Sequence, residues 1–198
     1  MCRFIESIQL SNGVFKRLEL HQERVRLALK DYYPDVKAFD LIETLHATTF
    51  PVTGLYKCRV LYDSAIREIE YIPYTQRKIN SLKLVETDIE STFYKKEDRI
   101  LYNAAFALRG DCDDIILVKN GLLTDTSFTN IALYDGIQWY TPRTPLIYGV
   151  NRAELIQQGI LIEKEIKASD LVNFKRVSLF NAMNEFGCIE LDISAIRG

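Results

Sequence analysis

The pairs Asn12-Gly13 and Asn120-Gly121, with Asp135-Gly136 after them, each stand between short runs of apolar and β-branched residues. Asn-Gly and Asp-Gly tolerate the positive φ angles of a tight hairpin turn, so a chain punctuated in this way folds largely into antiparallel sheet. Phe4, Ile5, Ile8 and Leu10 before the first pair, and Val14-Phe15 after it, read as a strand pair. Two helices are predicted next. The first covers residues 19–29, and the second is carried by Val36, Phe39, Ile42 and Leu45 at the spacing of a packed helical face. Residues 55–62 and 66–72, rich in Tyr, Val and Ile around Asp63-Ser64, form a hairpin, and 82–85 add a strand.

The polar, aperiodic stretch 86–93 separates this front part from a back half that opens with a helix over 98–108. A domain boundary is expected there, with an N-terminal α/β domain over 1–87 and a second domain over 88–198. Strands are predicted at 114–118, 122–126, 130–134 and 138–140, then a helix at 151–158 and strands at 161–166 and 177–180. The class is α+β: two small domains with mainly antiparallel sheets and flanking helices.

Composition bounds the function. A chain of 198 residues with 47% hydrophobic residues buries a real core without metal or disulfides. With 25 Lys plus Arg against 27 Asp plus Glu and no long basic run, it has no field for gathering phosphates along a polynucleotide, so no nucleic-acid partner is expected. No stretch approaches a membrane span, and the opening MCRFIESIQL has neither an apolar signal core nor a cleavage site, so a cytoplasmic location is expected. Cys2, Cys58, Cys112 and Cys188 lack paired CxxC spacing and are expected to be reduced and mostly buried. With only His21 and His46, a multi-histidine metal site is excluded, and no metal is assigned. Asp111, Asp113 and Asp114 follow Arg109-Gly110 and read as a solvated turn.

Three segments could carry chemistry. Tyr94-Lys95-Lys96-Glu97-Asp98-Arg99 is either a charged helix entrance or the place where a lysine amine turns into a cleft, able to form a Schiff base. Gly149-Val150-Asn151-Arg152 opens a helix whose free amides suit a phosphate, although most helix starts bind nothing. Asn181-Ala182-Met183-Asn184 places small polar residues after a strand, where a backbone can approach a ligand or merely turn.

Read in order, these pieces resemble the aminotransferase class IV family, the fold-type IV pyridoxal phosphate enzymes that include branched-chain and D-amino acid aminotransferases and aminodeoxychorismate lyase. Phe4-Ile5-Glu6-Ser7-Ile8, Asn12-Gly13 and His21-Gln22-Glu23-Arg24 match the family's FET strand, turn and HxxR helix. Lys95 to Arg99 matches K-x-x-x-R, and residues 120–131 resemble NG-x-V-x-E-x-x-x-x-N-I/L. Thr141-Pro142 and Gly149-Val150-Asn151-Arg152 resemble TP and G-I-x-R. The order of five motifs over nearly the whole chain carries the likeness.

The resemblance implies a fold-type IV architecture with a C-terminal pyridoxal-phosphate-binding domain, and pyridoxal 5'-phosphate as an electron sink for an amino substrate. Lys95 would carry the Schiff base and then move the proton on Cα, with Lys96 as its rival in register. Arg24 would hold the phosphate with backbone amides at Val150 and Asn151 and near Asn181-Ala182, and Ile147 would pack on the ring. Asp125 stands where the family places a glutamate to keep the pyridine nitrogen protonated. Asn181-Ala182-Met183 and the K-x-x-x-R helix favour a 4-amino-4-deoxychorismate lyase releasing pyruvate and p-aminobenzoate. Cys188, where proline is common, counts against it. The alternatives are an aminotransferase of branched-chain or D-amino acid type and a homologue that binds the cofactor or a partner without turnover. The chain opens almost at the FET strand and its 60s to 80s are abbreviated, both of which affect the substrate side. A homodimer with its active site between the domains is implied as well.

Overall fold

The computed structural model describes residues 2–198, which form two compact units. One takes in the chain up to Gln76 together with Phe93–Asp98; the other takes in Arg77–Thr92 and Arg99–Gly198.

In the first unit, β1 (Phe4–Ser11), β2 (Val14–Phe15), α1 (Leu18–Tyr32), α2 (Leu41–His46), β3 (Leu55–Tyr62) and β4 (Ile66–Pro73) follow one another, and the sheet runs β2-β1-β3-β4 with every pairing antiparallel. Asn12 and Gly13 sit at φ 48° and 79°, the left-handed turn that the pair was read to supply. Along β1 the side chains of Phe4, Glu6 and Ile8 are buried. Phe4 and Ile8 pack with Val25, Ala28 and Leu29 of α1 in one apolar core. The helix expected through Val36 and Phe39 starts later, because the Asp40 carboxylate accepts from the Glu43 amide at 2.8 Å and caps α2 there. Residues 93–98 then return to lie beside β1: the Ile5 amide donates to the Lys95 carbonyl at 2.8 Å, and the Glu97 amide to the Arg3 carbonyl at 2.9 Å.

The second unit holds β5 (Leu82–Glu86), α3 (Ile100–Ala107), β6 (Asp114–Lys119), β7 (Leu122–Thr126), β8 (Asn130–Tyr134), β9 (Trp139–Pro142), α4 (Val150–Gln157), β10 (Leu161–Lys164), β11 (Arg176–Phe180), β12 (Glu190–Asp192) and β13 (Ile196–Arg197). Its nine-stranded sheet runs β10-β9-β8-β7-β6-β5-β13, with β11 paired to both β8 and β12. Most pairings are antiparallel; β5 with β6, β5 with β13 and β9 with β10 are parallel. Leu82, Ile116, Leu123, Ile131, Val177 and Leu179 form the main core, and Ala105 of α3 packs with Val85, Ile115 and Leu117 on another.

The expected boundary between 87 and 88 differs from this division. Leu82 to Glu86 pair in register with Asp114 to Val118, which draws residues 77–92 into the second unit. The acidic triplet also differs from its reading as a solvated turn. The Asp113 carboxylate accepts from the Asn80 amide at 2.7 Å, and Asp114 is fully buried, its carboxyl pushed up by burial. None of the four cysteines forms a disulfide; Cys58 and Cys112 are buried, Cys2 is half-buried and Cys188 is exposed, so half of them are buried and not most. Among the described residues, no helix is long and apolar enough to cross a membrane.

Candidate active site

Lys95 and Lys96 are neighbours, but the strand-like pairing of 93–98 with β1 sends them different ways. Lys95 is half-buried and its Nζ donates to Ser7 Oγ at 3.0 Å. Lys96 is exposed, and its ammonium lies 5.6 Å from the centre of the Tyr32 ring. The K-x-x-x-R spacing selects Lys95, and the two amines also differ in their surroundings: Lys95 is seated on a hydroxyl, while Lys96 is exposed.

Glu6, next to Ser7, points to the core face of β1. There it meets two side chains of α1 placed three residues apart and so on one helix face. Arg24 donates through Nε to Oε1 at 2.9 Å and through Nη2 to Oε2 at 2.5 Å, and the His21 ring shares Oε2. Burial would raise the Glu6 carboxyl, but the guanidinium and the imidazole outweigh it and bring it down to about 2. His21 is driven below its usual value, chiefly by burial and against the pull of Glu6. Arg24, read from sequence as a phosphate anchor, thus gives two of its three nitrogens to a buried carboxylate. Both N–H groups of Nη1 and the second N–H of Nη2 make no hydrogen bond to Glu6.

In the second unit, Asp125 is the penultimate residue of β7 and Asn130 begins β8, and the two are paired across Thr126-Ser127-Phe128-Thr129. Thr126 Oγ1 accepts from the amides of Phe128 and Thr129 and fixes that turn. Asp125 is 3% exposed. Its Oδ1 accepts from Asn130 Nδ2 and its Oδ2 from the Ile147 amide, both at 2.8 Å. Asn130 Nδ2 also donates to the Ile147 carbonyl at 2.8 Å, which closes a triangle. Burial pushes the Asp125 carboxyl up to about 6, with the Ile147 and Asn130 hydrogen bonds and the charge of Arg152 opposing. The backbone of Ile147 is committed to this network, and its side chain stays half-buried.

Two residues on, Gly149 starts α4 without a side-chain cap. The first amides of a helix have no intrahelical acceptor, so Val150 and Asn151 present free N–H groups, and no acidic residue stands in that first turn. The Asn151 side chain turns elsewhere: Nδ2 donates to the Asn181 carbonyl at 2.8 Å. Asn181 is committed to its own loop, with Oδ1 accepting from the amides of Met183 and Asn184 and Nδ2 donating to the Phe128 carbonyl. The half-buried Ala182 contributes the amide of that loop that Asn181 does not take. Arg152 is held by the Pro142 carbonyl and by Glu163 at 2.6 Å. Arg99 stacks on Tyr102, its guanidinium carbon 3.7 Å from the ring centre, and donates to the Ser127 carbonyl.

The structure brings Asp125, Ile147 and the start of α4 together within one unit and seats Lys95 on Ser7 in the other. It does not bring the Asn181 side chain into an open position. Sequence reading gave no role to Ser7, Glu6, His21, Asn130 or Gly149. All five lay inside motifs that the sequence shows, Gly149 there only as a helix opener, but partnership between elements was not visible in them.

A family model described as amino-transferase class IV matches residues 3–190. An uncharacterized protein of Haemophilus influenzae (strain ATCC 51907 / DSM 11121 / KW20 / Rd) is 36% identical over 186 residues, covering 93% of this chain and 99% of its own. A crystal structure from Haemophilus somnus 129pt, provisionally assigned as a 4-amino-4-deoxychorismate lyase, superposes with a TM-score of 0.85 at 32% identity, covering 93% of this chain and 98% of that one. A structure from Mesorhizobium loti, provisionally assigned as an amino-acid aminotransferase, covers 100% of both chains with a TM-score of 0.79 at 23% identity and shares the fold.

Proposed function

The chain belongs to the aminotransferase class IV family of enzymes, and from that premise we propose that it is a pyridoxal-phosphate-dependent lyase that converts 4-amino-4-deoxychorismate to p-aminobenzoate and pyruvate. The observation that carries the reading is the seating of the Lys95 amine on Ser7 Oγ while Lys96 faces solvent. The lyase branch is supported by the 32% identity to the Haemophilus somnus chain of that provisional assignment and by Asn181-Ala182-Met183.

The residues present fit the cofactor. A half-buried amine, a buried carboxylate already oriented by two donors, and free amides at the start of α4 are the donor set that an aldehyde, a pyridinium and a phosphate require. When bound, pyridoxal phosphate supplies an electron sink for a carbanion formed beside the substrate nitrogen. Lys95 supplies the amine that holds it and, once free, takes the proton from the carbon bearing the amino group. Ser7 orients that amine. Asp125 would keep a proton at the ring nitrogen, and Ile147 would pack on the ring. Val150, Asn151 and Ala182 would offer backbone amides to the phosphate, and Arg24, by its place in the family motif, would offer it the N–H groups that Glu6 leaves. In the lyase reaction the amine would take the proton alone, the C–H electron pair left behind would form the new ring double bond and expel the enolpyruvyl oxygen from the neighbouring carbon, the ring would thereby become aromatic, and the released enolate would take a proton on carbon to give pyruvate.

A cytoplasmic homodimer completes the proposal. Leu101, Ala104 and Leu108 are exposed at helical spacing on and just beyond α3, an apolar stripe that a second copy would cover. Incubation of the purified protein with 4-amino-4-deoxychorismate, and separately with L- or D-amino acids plus 2-oxoglutarate, tests the activity. Release of p-aminobenzoate and pyruvate supports the lyase. Amino transfer replaces it with an aminotransferase, and inactivity in both assays leaves a homologue without turnover.

A further inference from the structure

We propose that Asn130 is the positioning residue for Asp125, and that position 149 is glycine because a side chain there would displace Asn130; this rests on the reading of Asp125 as the partner of the cofactor's ring nitrogen. The geometry is closed. One Asn130 amide nitrogen reaches both Asp125 Oδ1 and the Ile147 carbonyl, while the Ile147 amide holds Oδ2. With one donor on each oxygen, the carboxylate cannot rotate, and each oxygen keeps a lone pair for a further donor. A carboxylate one methylene shorter than glutamate has less reach, so fixing its direction matters more.

Gly149 has φ −71° and ψ 144°, an ordinary conformation open to any residue. Its identity therefore has no backbone reason. A Cβ built there lies 2.1 Å from Asn130 Oδ1 and 3.2 Å from its Cγ, so any other residue would push the amide off Asp125. The other charged or titratable groups near Asp125 come from different elements. Arg152 lies on α4, and Arg99 and Tyr102 lie at α3. None of them hydrogen-bonds to Asn130, so substitutions at 130 and 149 leave these contributions in place.

The test is a pH titration of aspartate carboxyl carbons by 13C NMR in cofactor-free protein, with the Asp125 signal identified by its loss in Asp125→Asn. The wild-type midpoint is expected at about 6. Asn130→Ala removes a donor to the charged form and should move it up by about 1 to 2 pH units. Gly149→Ala should move it the same way, but should add nothing in the Asn130→Ala background, where the methyl group has room. If Asn130→Ala does not fold, Asn130→Leu, close in size, uncharged and without the amide donor, should raise the midpoint in the same way. An unmoved midpoint in the Asn130 variant, or a full Gly149→Ala effect on top of it, overturns the inference. A second titration with saturating pyridoxal phosphate separates the underlying reading: a wild-type midpoint that the cofactor does not lower removes Asp125 from the ring, whatever Asn130 does.

Discussion

The Lys95 amine donates to Ser7 Oγ at 3.0 Å, and Ser7 stands next to Glu6, whose carboxylate faces the other side of β1 to take Arg24. One strand thus seats the Lys95 amine on one face and holds a buried ion cluster on the other. Because the amine is set by strand register, labelling should be specific. Borohydride reduction of the protein loaded with pyridoxal phosphate, followed by peptide mapping, is expected to mark Lys95 alone, with the label lost in Lys95→Ala and kept in Lys96→Ala. A label on Lys96 would reverse the assignment.

Arg24→Ala has two separable consequences. Glu6 loses its guanidinium partner in a fully buried position and keeps only the His21 ring, which costs about 3 to 5 kcal/mol of stability. Cofactor affinity falls about 10-fold or more if one charge-assisted hydrogen bond to the phosphate is lost. The double variant Glu6→Gln with Arg24→Ala should recover much of the stability, read by denaturant unfolding, and none of the affinity. Recovery of both would show that Arg24 acts only through Glu6.

Stability of the cofactor-free protein should depend on pH in opposite senses at two carboxyls. Glu6 is lowered from 4.5 to about 2, so its contribution is present above 4.5 and is lost as the pH falls through that window. Asp125 is raised from 3.8 to about 6, so the fold favours its protonated form and stability declines as the pH rises through 3.8 to 6, by roughly 3 kcal/mol in all. Between pH 4.5 and 6.5 the depressed His21 makes stability rise with pH in both proteins, so denaturant midpoints should rise in Asp125→Asn and should rise less, or fall, in the wild type. Equal slopes in the two proteins would place the titration elsewhere.

Asp125→Asn should also separate binding from turnover. The isosteric amide leaves the cofactor bound, while loss of the carboxylate weakens the electron sink in the transition state more than in the ground state. A wild-type rate in this variant would mean that the ring is tuned by another group.

What sequence showed and what it hid follow from the range of each interaction. The turns at Asn12-Gly13 and Asn120-Gly121 are local backbone events, and their φ angles are those the residue pairs demand. The run Leu82 to Val85 looked like one more strand of the front half, because a short apolar segment does not declare its partner, and β6 lies beyond a whole helix. Lys95 could be ranked above Lys96 by counting back from Arg99, yet the contrast between a hydroxyl and open solvent arises only from pairing with β1. Glu6 was visible inside a quoted motif, but alternation along the strand is what turns it to the core side, where Arg24 must meet it. Gly149 was read as a helix opener. Its reason is an atom contributed by residue 130, which no local pattern encodes.

The return of Phe93–Asp98 to the first unit sets an order of assembly during synthesis. The four strands of that unit are complete once Pro73 has left the ribosome, but the strand bearing the amine arrives only after β5 of the other unit, which itself has no neighbour until Asp114–Lys119 emerge. Both are closures over long sequence separations, the slow kind. A nascent chain halted before residue 93 would therefore hold the arginine and its buried carboxylate in a nearly finished sheet, and would have the hydroxyl of Ser7 without the amine that it seats.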